Sequence, residues 1–170
     1  RGTSRWQASE GPEVIYRDGY YYLFLAYGSL SVEYNTRVCR SKNIDGPYVD
    51  IHGNSAMGSA QLYPILTAPY RFDNSYGWVG ISHCGIFDDG AGNWFYTSQG
   101  RFPVNVGGNE YSNAIMMGHV RSIRWDANGW PLVMPERYGA VPQAPITENE
   151  IAGDWEHLAL TTSTNERPKR

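Results

Sequence analysis

The sequence has 170 residues, and its 19 Gly, 10 Pro, 13 Tyr and 6 Trp with only 18% charged residues describe a turn-rich, aromatic-rich β protein, not a helical one. That length suits one ordinary domain or a section of a larger all-β unit, and the composition favours the section. A net charge of -3 with a pI of about 5.8 gives no footprint for nucleic acid or an anionic membrane, and no apolar run approaches a membrane span.

In chain order, the stretch WQASEGPEVIYRDGYYYLFLAYGSL from Trp6 reads as two strands about a tight turn. Val14, Ile15 and Tyr16 are β-branched or aromatic, Asp18-Gly19 supplies the turn, and Tyr20 to Tyr27 is an aromatic strand. Glu10 stands just ahead of the first strand. Pro12 biases Gly11 towards extended backbone, which holds the Glu10 side chain at the strand mouth. A carboxylate in aromatic surroundings is costly without a partner or a purpose. Glu13, one strand position on, competes for that purpose but reads as a solvated strand residue. Next, YNTRVCRSK forms a third strand opened by Asn35, and the turn Asn43 to Pro47 leads into Tyr48-Val49 as the fourth. A loop-rich insert from His52 to Trp78 follows, suited to walling a cleft.

A second module repeats the first. His83 precedes the strand Cys84 to Phe87, the turn Asp88 to Asn93 follows, and Trp94 to Ser98 is an aromatic strand with Arg101 after it. NAIMMGHVRSIRW then leads through Asp126 to Gly129 into Trp130 to Val133. Two tandem four-stranded antiparallel modules are the mark of propeller blades. The innermost strand of each blade begins near the central channel, so Glu10 and His83, each just ahead of such a strand, converge on one mouth. Cys39 and Cys84 lie inside predicted strands and are expected as buried thiols. Asp88-Asp89-Gly90 looks like part of a calcium loop, but lacks the remaining ligands and is better explained as a turn. The expected division is residues 1–134 for the blades, 135–150 for a linker, and 151–170 for the start of an accessory β domain or a disordered tail, with Ile151 to Leu160 as its first strand. No signal peptide is expected to precede Arg1, and because the chain opens in mid-pattern its N-terminus is expected not to be the native one.

Four elements in the same order, SEGPEVIYRDGYYYLFLAYG, YNTRVCRSKNIDGPYVD, GISHCGIFDDGAGNWFYTSQGRF and IRWDANGWPLVMPERYG, resemble the second half of the endo-1,5-α-L-arabinanases of glycoside hydrolase family 43. The resemblance covers about Trp6 to Gly139. IAGDWEHL is similar to the entry of the small C-terminal β domain of the longer arabinanases. The resemblance implies an all-β five-bladed propeller, of which this chain holds about two blades, and an inverting mechanism served by a general base, a tuning Asp and a general acid. The Glu-Gly-Pro element implies that Glu10 is the acid. The reading of the residues agrees, because shielding by aromatics disfavours a charged carboxylate. The Ile-Ser-His element implies that His83 helps hold a metal, usually calcium, in the channel, often through water; by itself, a His beside a strand is more often a hydrogen-bonded core residue than a ligand. Asn35 and Arg101 could bind sugar or orient a carboxylate, or equally be satisfied edge residues.

Inverting hydrolysis needs a second carboxylate about 6.5 to 9.5 Å from the acid. None stands out: the Asp residues at 18, 45, 88, 89 and 126 sit in turns beside Gly or Asn, and those at 50, 73 and 154 lie at a strand end, in the insert and near the tail. In the family the base and the tuning Asp come from earlier blades. The partners expected are therefore arabinan or its oligosaccharides and the remaining blades, from the same precursor or a second chain, in an extracellular or periplasmic setting. Two alternatives stay open: another activity of the family (β-xylosidase, α-L-arabinofuranosidase or galactanase), or a non-catalytic carbohydrate-binding propeller. Two blades alone expose sheet edges and aromatic surface, so the isolated chain is expected not to be a stable monomer.

Overall fold

The computed structural model describes residues 9–30, 33–58, 60–69, 71–72, 75–76, 78–101, 116–140 and 147–155. Two four-stranded antiparallel sheets carry the fold. The first runs β1 (Ser9–Arg17), β2 (Tyr20–Tyr27), β3 (Asn35–Ser41) and β4 (Ile65–Thr67) in that spatial order. Between the two sheets in the sequence comes a small hairpin, β5 (Arg71–Phe72) with β6 (Ser75–Tyr76). The second sheet is β7 (Val79–Asp88), β8 (Trp94–Arg101), β9 (Met116–Trp125) and β10 (Pro131–Val133). Each sheet is a meander, so the two-module reading of the sequence holds.

Local chemistry explains the strand ends. Asp18 and Gly19 both have positive φ (48° and 81°), the conformation that matches a two-residue hairpin to twisted strands. In the β7–β8 turn, Asp89 accepts the N–H groups of Ala91 and Asn93, and in the β9–β10 turn Asp126 accepts those of Asn128 and Trp130. These aspartates are spent on turns, as their Gly and Asn neighbours suggested.

The fourth strand of the first sheet is not the one expected. Val49 makes only isolated bridges, with Arg40 and Ser55, and β4, from inside the supposed insert, completes the sheet. Asp50 supplies the reason. Its buried carboxylate accepts the N–H groups of His52, Asn54 and Tyr63 and the amide of Asn54, which turns the chain away from β3. Burial alone would push this carboxyl up, but those hydrogen bonds outweigh it and hold it below its ordinary range.

One core is shared by both sheets. Tyr22, Phe24 and Val38 from the first meet Ile81, Ile86, Tyr96, Ile123 and Trp130 from the second. Burying each such side chain is worth about 1.5–3 kcal/mol, so the sheets stabilise one another. At the turn end, the Tyr22 hydroxyl donates to the Gly129 carbonyl (2.6 Å), and the Arg40 guanidinium lies 4.2 Å from the Trp130 ring centre while donating to the Asn128 carbonyl (2.7 Å). Deeper in, Thr36 Oγ1 is 2.7 Å from both Ser82 Oγ and the Tyr96 hydroxyl, and Ser82 donates to the Asn35 carbonyl (2.9 Å). Thr67 donates to the Ile81 carbonyl (2.6 Å) and accepts from the Thr36 N–H.

Cys39 and Cys84 are buried thiols outside any disulfide, as expected; burial pushes the Cys84 thiol up to about 12. Ile151, expected to open a strand, instead ends a short helix, α1 (Glu148–Ile151). A capping box causes this: the Thr147 N–H and hydroxyl both bond Glu150 Oε2. The rest of the expected strand, 156–160, lies outside the described residues.

Candidate active site

The sites of Glu10 and His83 are made by two β-bulges. Both residues were expected just ahead of their strands, but they lie inside β1 and β7. The register of β1 against β2 shifts between Glu10 and Glu13, and that of β7 against β8 shifts on either side of Ser82. Gly11 takes φ 56° at the first bulge, not the extended backbone that Pro12 was expected to favour. His83 takes φ 58° at the second, a conformation uncommon for a residue with a side chain. The second bulge is legible in the burial: Cys84 and Ile86 face the core two residues apart, but Ile81 joins them at a spacing of three. The additional residue turns His83 outwards.

The two bulges bring the side chains together. His83 Nδ1 is 3.9 Å from Glu10 Oε1, and the side chains are 58% and 60% exposed. Close approach needs Gly11: a Cβ there would stand 2.9 Å from His83 Cδ2, on a backbone that already disfavours L side chains. Tyr34, just ahead of β3, completes the group. Its hydroxyl donates to Glu10 Oε1 at 2.5 Å and lies 3.1 Å from His83 Nδ1, while the residue itself is 1% exposed. Burial first, then the hydrogen bond and charge of Glu10, raise the Tyr34 phenol far above its ordinary range, so it is a permanent donor. The expected aromatic enclosure of Glu10 is not found among the described residues; one buried phenol holds one side of an open carboxylate.

The other sequence candidates have structural partners. Asn35 is 1% exposed; its amide donates to the carbonyls of Tyr27 and Glu33 and its oxygen accepts from Arg37 Nε. Arg101 is equally buried, and its Nε donates to the Leu30 carbonyl at 3.0 Å, tying the end of β8 to the loop after β2. Glu13, expected to be solvated, is half-buried and accepts the Ile86 N–H at 3.3 Å, linking β1 to β7. Among the described residues, no three of His, Cys, Asp and Glu come together as a metal site. Calcium prefers six to eight oxygen ligands, so among the described residues one imidazole does not compose such a site.

Sequence reasoning missed Tyr34 and also His119, in β9. His119 is 2% exposed, its Nδ1 accepts from Arg121 (3.2 Å), and its ring meets the Trp78 ring edge-on at 4.3 Å. Gly100 makes room, since a Cβ there would lie 2.6 Å from His119 Cε1. Burial, and then the charges of Arg121 and Arg137, push His119 down to about 4.

Compared with known proteins, residues 2–131 match the model of glycosyl hydrolases family 43. The extracellular endo-alpha-(1->5)-L-arabinanase 2 of Bacillus subtilis (strain 168) is 30% identical over 168 residues, covering 86% of this chain and 34% of that protein. A xylan 1,3-beta-xylosidase from a Vibrio species is 33% identical over 87 residues, covering 51% of this chain and 14% of that protein. In three dimensions, the crystal structure of the endo-1,5-alpha-L-arabinanase of Thermotoga petrophila RKU-1 superposes with a TM-score of 0.80 at 26% identity, over 94% of this chain and 38% of that one. The chain thus spans about a third of the length of the B. subtilis relative, and its sheets fit a fragment of a five-bladed β-propeller.

His119 gives a pH dependence whose sign is determined. It is neutral in the fold down to about 4, whereas an unfolded histidine takes its proton near 6.5. Its contribution is therefore whole above about 6.5 and is lost as pH falls towards 4, with an upper limit of about 3 kcal/mol. Urea unfolding of the full-length protein between pH 7 and 4 is expected to show a steeper loss for the native sequence than for His119→Gln; parallel curves would refute this.

Proposed function

Because the chain belongs to glycosyl hydrolases family 43, we propose that the protein containing it hydrolyses internal α-1,5-L-arabinofuranosidic bonds in arabinan with inversion, and that Glu10 is the general acid. One observation carries the role of Glu10. A carboxylate displayed at an open mouth by a bulge is gripped at Oε1 by a buried hydroxyl, so its other oxygen is oriented to carry a transferable proton. In the reaction, that proton passes to the glycosidic oxygen as the bond to the anomeric carbon breaks. Water adds from the opposite face and loses a proton to a second carboxylate about 6.5 to 9.5 Å away. Among the described residues, Asp50, Asp89 and Asp126 are committed to their own loops, so the base belongs to the rest of the propeller. Those blades, in the same precursor or a second chain, are the partner this reading requires.

Secretion fits a polymeric substrate, and the B. subtilis relative is named extracellular. Asn35 and Arg101 serve this reading by holding the β2–β3 loop and the end of β8 in place. The Vibrio relative keeps a xylosidase activity as the alternative within the family.

In the full-length protein, Glu10→Gln should retain arabinan binding while kcat falls by about 100-fold or more, the usual worth of general acid assistance. Reducing-sugar release is expected on debranched arabinan over xylan and galactan. Turnover unaffected by the substitution would remove Glu10 from the mechanism; sugar binding without any turnover would favour a binding module; and activity confined to aryl-xylosides would favour the xylosidase.

Calcium belongs to this proposal as a ligand of the intact ring, with His83 giving one contact, directly or through water. Elemental analysis of the intact protein should find about one ion. Chelation should lower its melting temperature, since a ligand bound only by the fold stabilises it. Unchanged melting with no ion found would return His83 to a hydrogen-bonding role alone.

A further inference from the structure

We propose that Tyr34 is a positioning residue for proton donation, its hydroxyl orienting the Glu10 carboxyl and linking it to His83 across the boundary between the two sheets. The inference rests on Glu10 being the general acid, and it adds a residue, 24 positions from Glu10 and 49 from His83, that no motif marks.

Placement is the first argument. Tyr34 stands just ahead of β3 of the first sheet, whereas His83 lies in the second, so the phenol spans the seam at which the two bulges meet. The second is an asymmetry of exposure. A buried tyrosine normally satisfies its hydroxyl on a nearby buried group, as Tyr22 does on the Gly129 carbonyl. Tyr34 is 1% exposed, yet the side chains it meets are 58% and 60% exposed. A phenylalanine would fill the same space and leave both untethered.

Donor and acceptor roles follow from the partners. The hydroxyl has one hydrogen, and at 2.5 Å it goes to the carboxylate, which when ionised can only accept. The same oxygen can then accept only a hydrogen, so His83 Nδ1 must carry one, leaving Nε2 for water or an ion. Glu10, Tyr34 and His83 therefore form one directed chain of hydrogen bonds, with a geometry set by a side chain that cannot move without opening the core.

The test uses the full-length protein with two substrates: arabinan, whose leaving group needs a proton, and a dinitrophenyl arabino-oligosaccharide, whose leaving group does not. Tyr34→Phe should lower kcat on arabinan at least about 10-fold more than on the activated substrate, with KM for arabinan little changed. Equal losses on both substrates would overturn the proposal and leave Tyr34 a packing residue. Should the Phe variant fail to fold, 3,5-difluorotyrosine at position 34, a stronger donor of nearly the same shape, should change the ratio of the two rates; an unchanged ratio would likewise overturn it. Glu10→Gln is assayed in parallel. If it leaves the ratio of the two substrates unchanged, both the acid assignment and this proposal fall, whereas a changed ratio with a silent Tyr34 overturns this proposal alone.

Discussion

The structure depends on the buried hydroxyl contact between its two sheets. Thr36 and Thr67 from the first sheet, and Ser82 and Tyr96 from the second, all buried, satisfy one another and the carbonyls of Asn35 and Ile81. Apolar packing around them supplies most of the energy but tolerates sliding, because hydrophobic contact has no direction. Hydroxyl pairs do not tolerate it, since a shift would leave several buried polar atoms unpaired at about 1–3 kcal/mol each. These contacts therefore fix the register of one sheet on the other. Ser82 adjoins His83, and Thr36 lies two residues after Tyr34, so the same network determines where the exposed site residues stand.

The site is accordingly rigid on one side and open on the other. Glu10 and His83 project to solvent from bulges, where a backbone departs from the ladder and aims a side chain off the pleat. Beneath them Tyr34 belongs to the interior. Such a division suits a group that must meet a polymer from outside yet hold one orientation. At the opposite end, Arg40 between the Tyr20 and Trp130 rings and Arg17 over Trp125 close the seam with cation–π contacts.

Much of this was legible in the residues. Turn pairs such as Asp18-Gly19, and aromatic runs such as Tyr20 to Tyr27, announced the two meanders, and the matching places of Glu10 and His83 announced their meeting. The fourth strand of the first sheet was not legible, because Asp50 redirects the chain through hydrogen bonds to residues up to 13 positions away. The bulges were half-visible: an isolated glycine within a strand pattern, as at Gly11, is their usual sign, and it was read as extended instead. The Thr147 to Glu150 capping box was visible too, in its T-x-x-E spacing. Tyr34 was hidden among 13 tyrosines, since what distinguishes it is a tertiary contact. His119 gave no signal for the same reason: its low proton affinity comes from burial beside Arg121 and Arg137.

One buried phenol joins the exposed carboxylate of one sheet to the exposed imidazole of the other. Long-range proton–nitrogen correlation spectra of the full-length protein, with His83 assigned by substitution, measure this most directly, because they report which ring nitrogen carries hydrogen. Hydrogen is expected on Nδ1, since the Tyr34 hydrogen is already committed to Glu10. A neutral ring protonated on Nε2 alone, with Nδ1 bare, would contradict it.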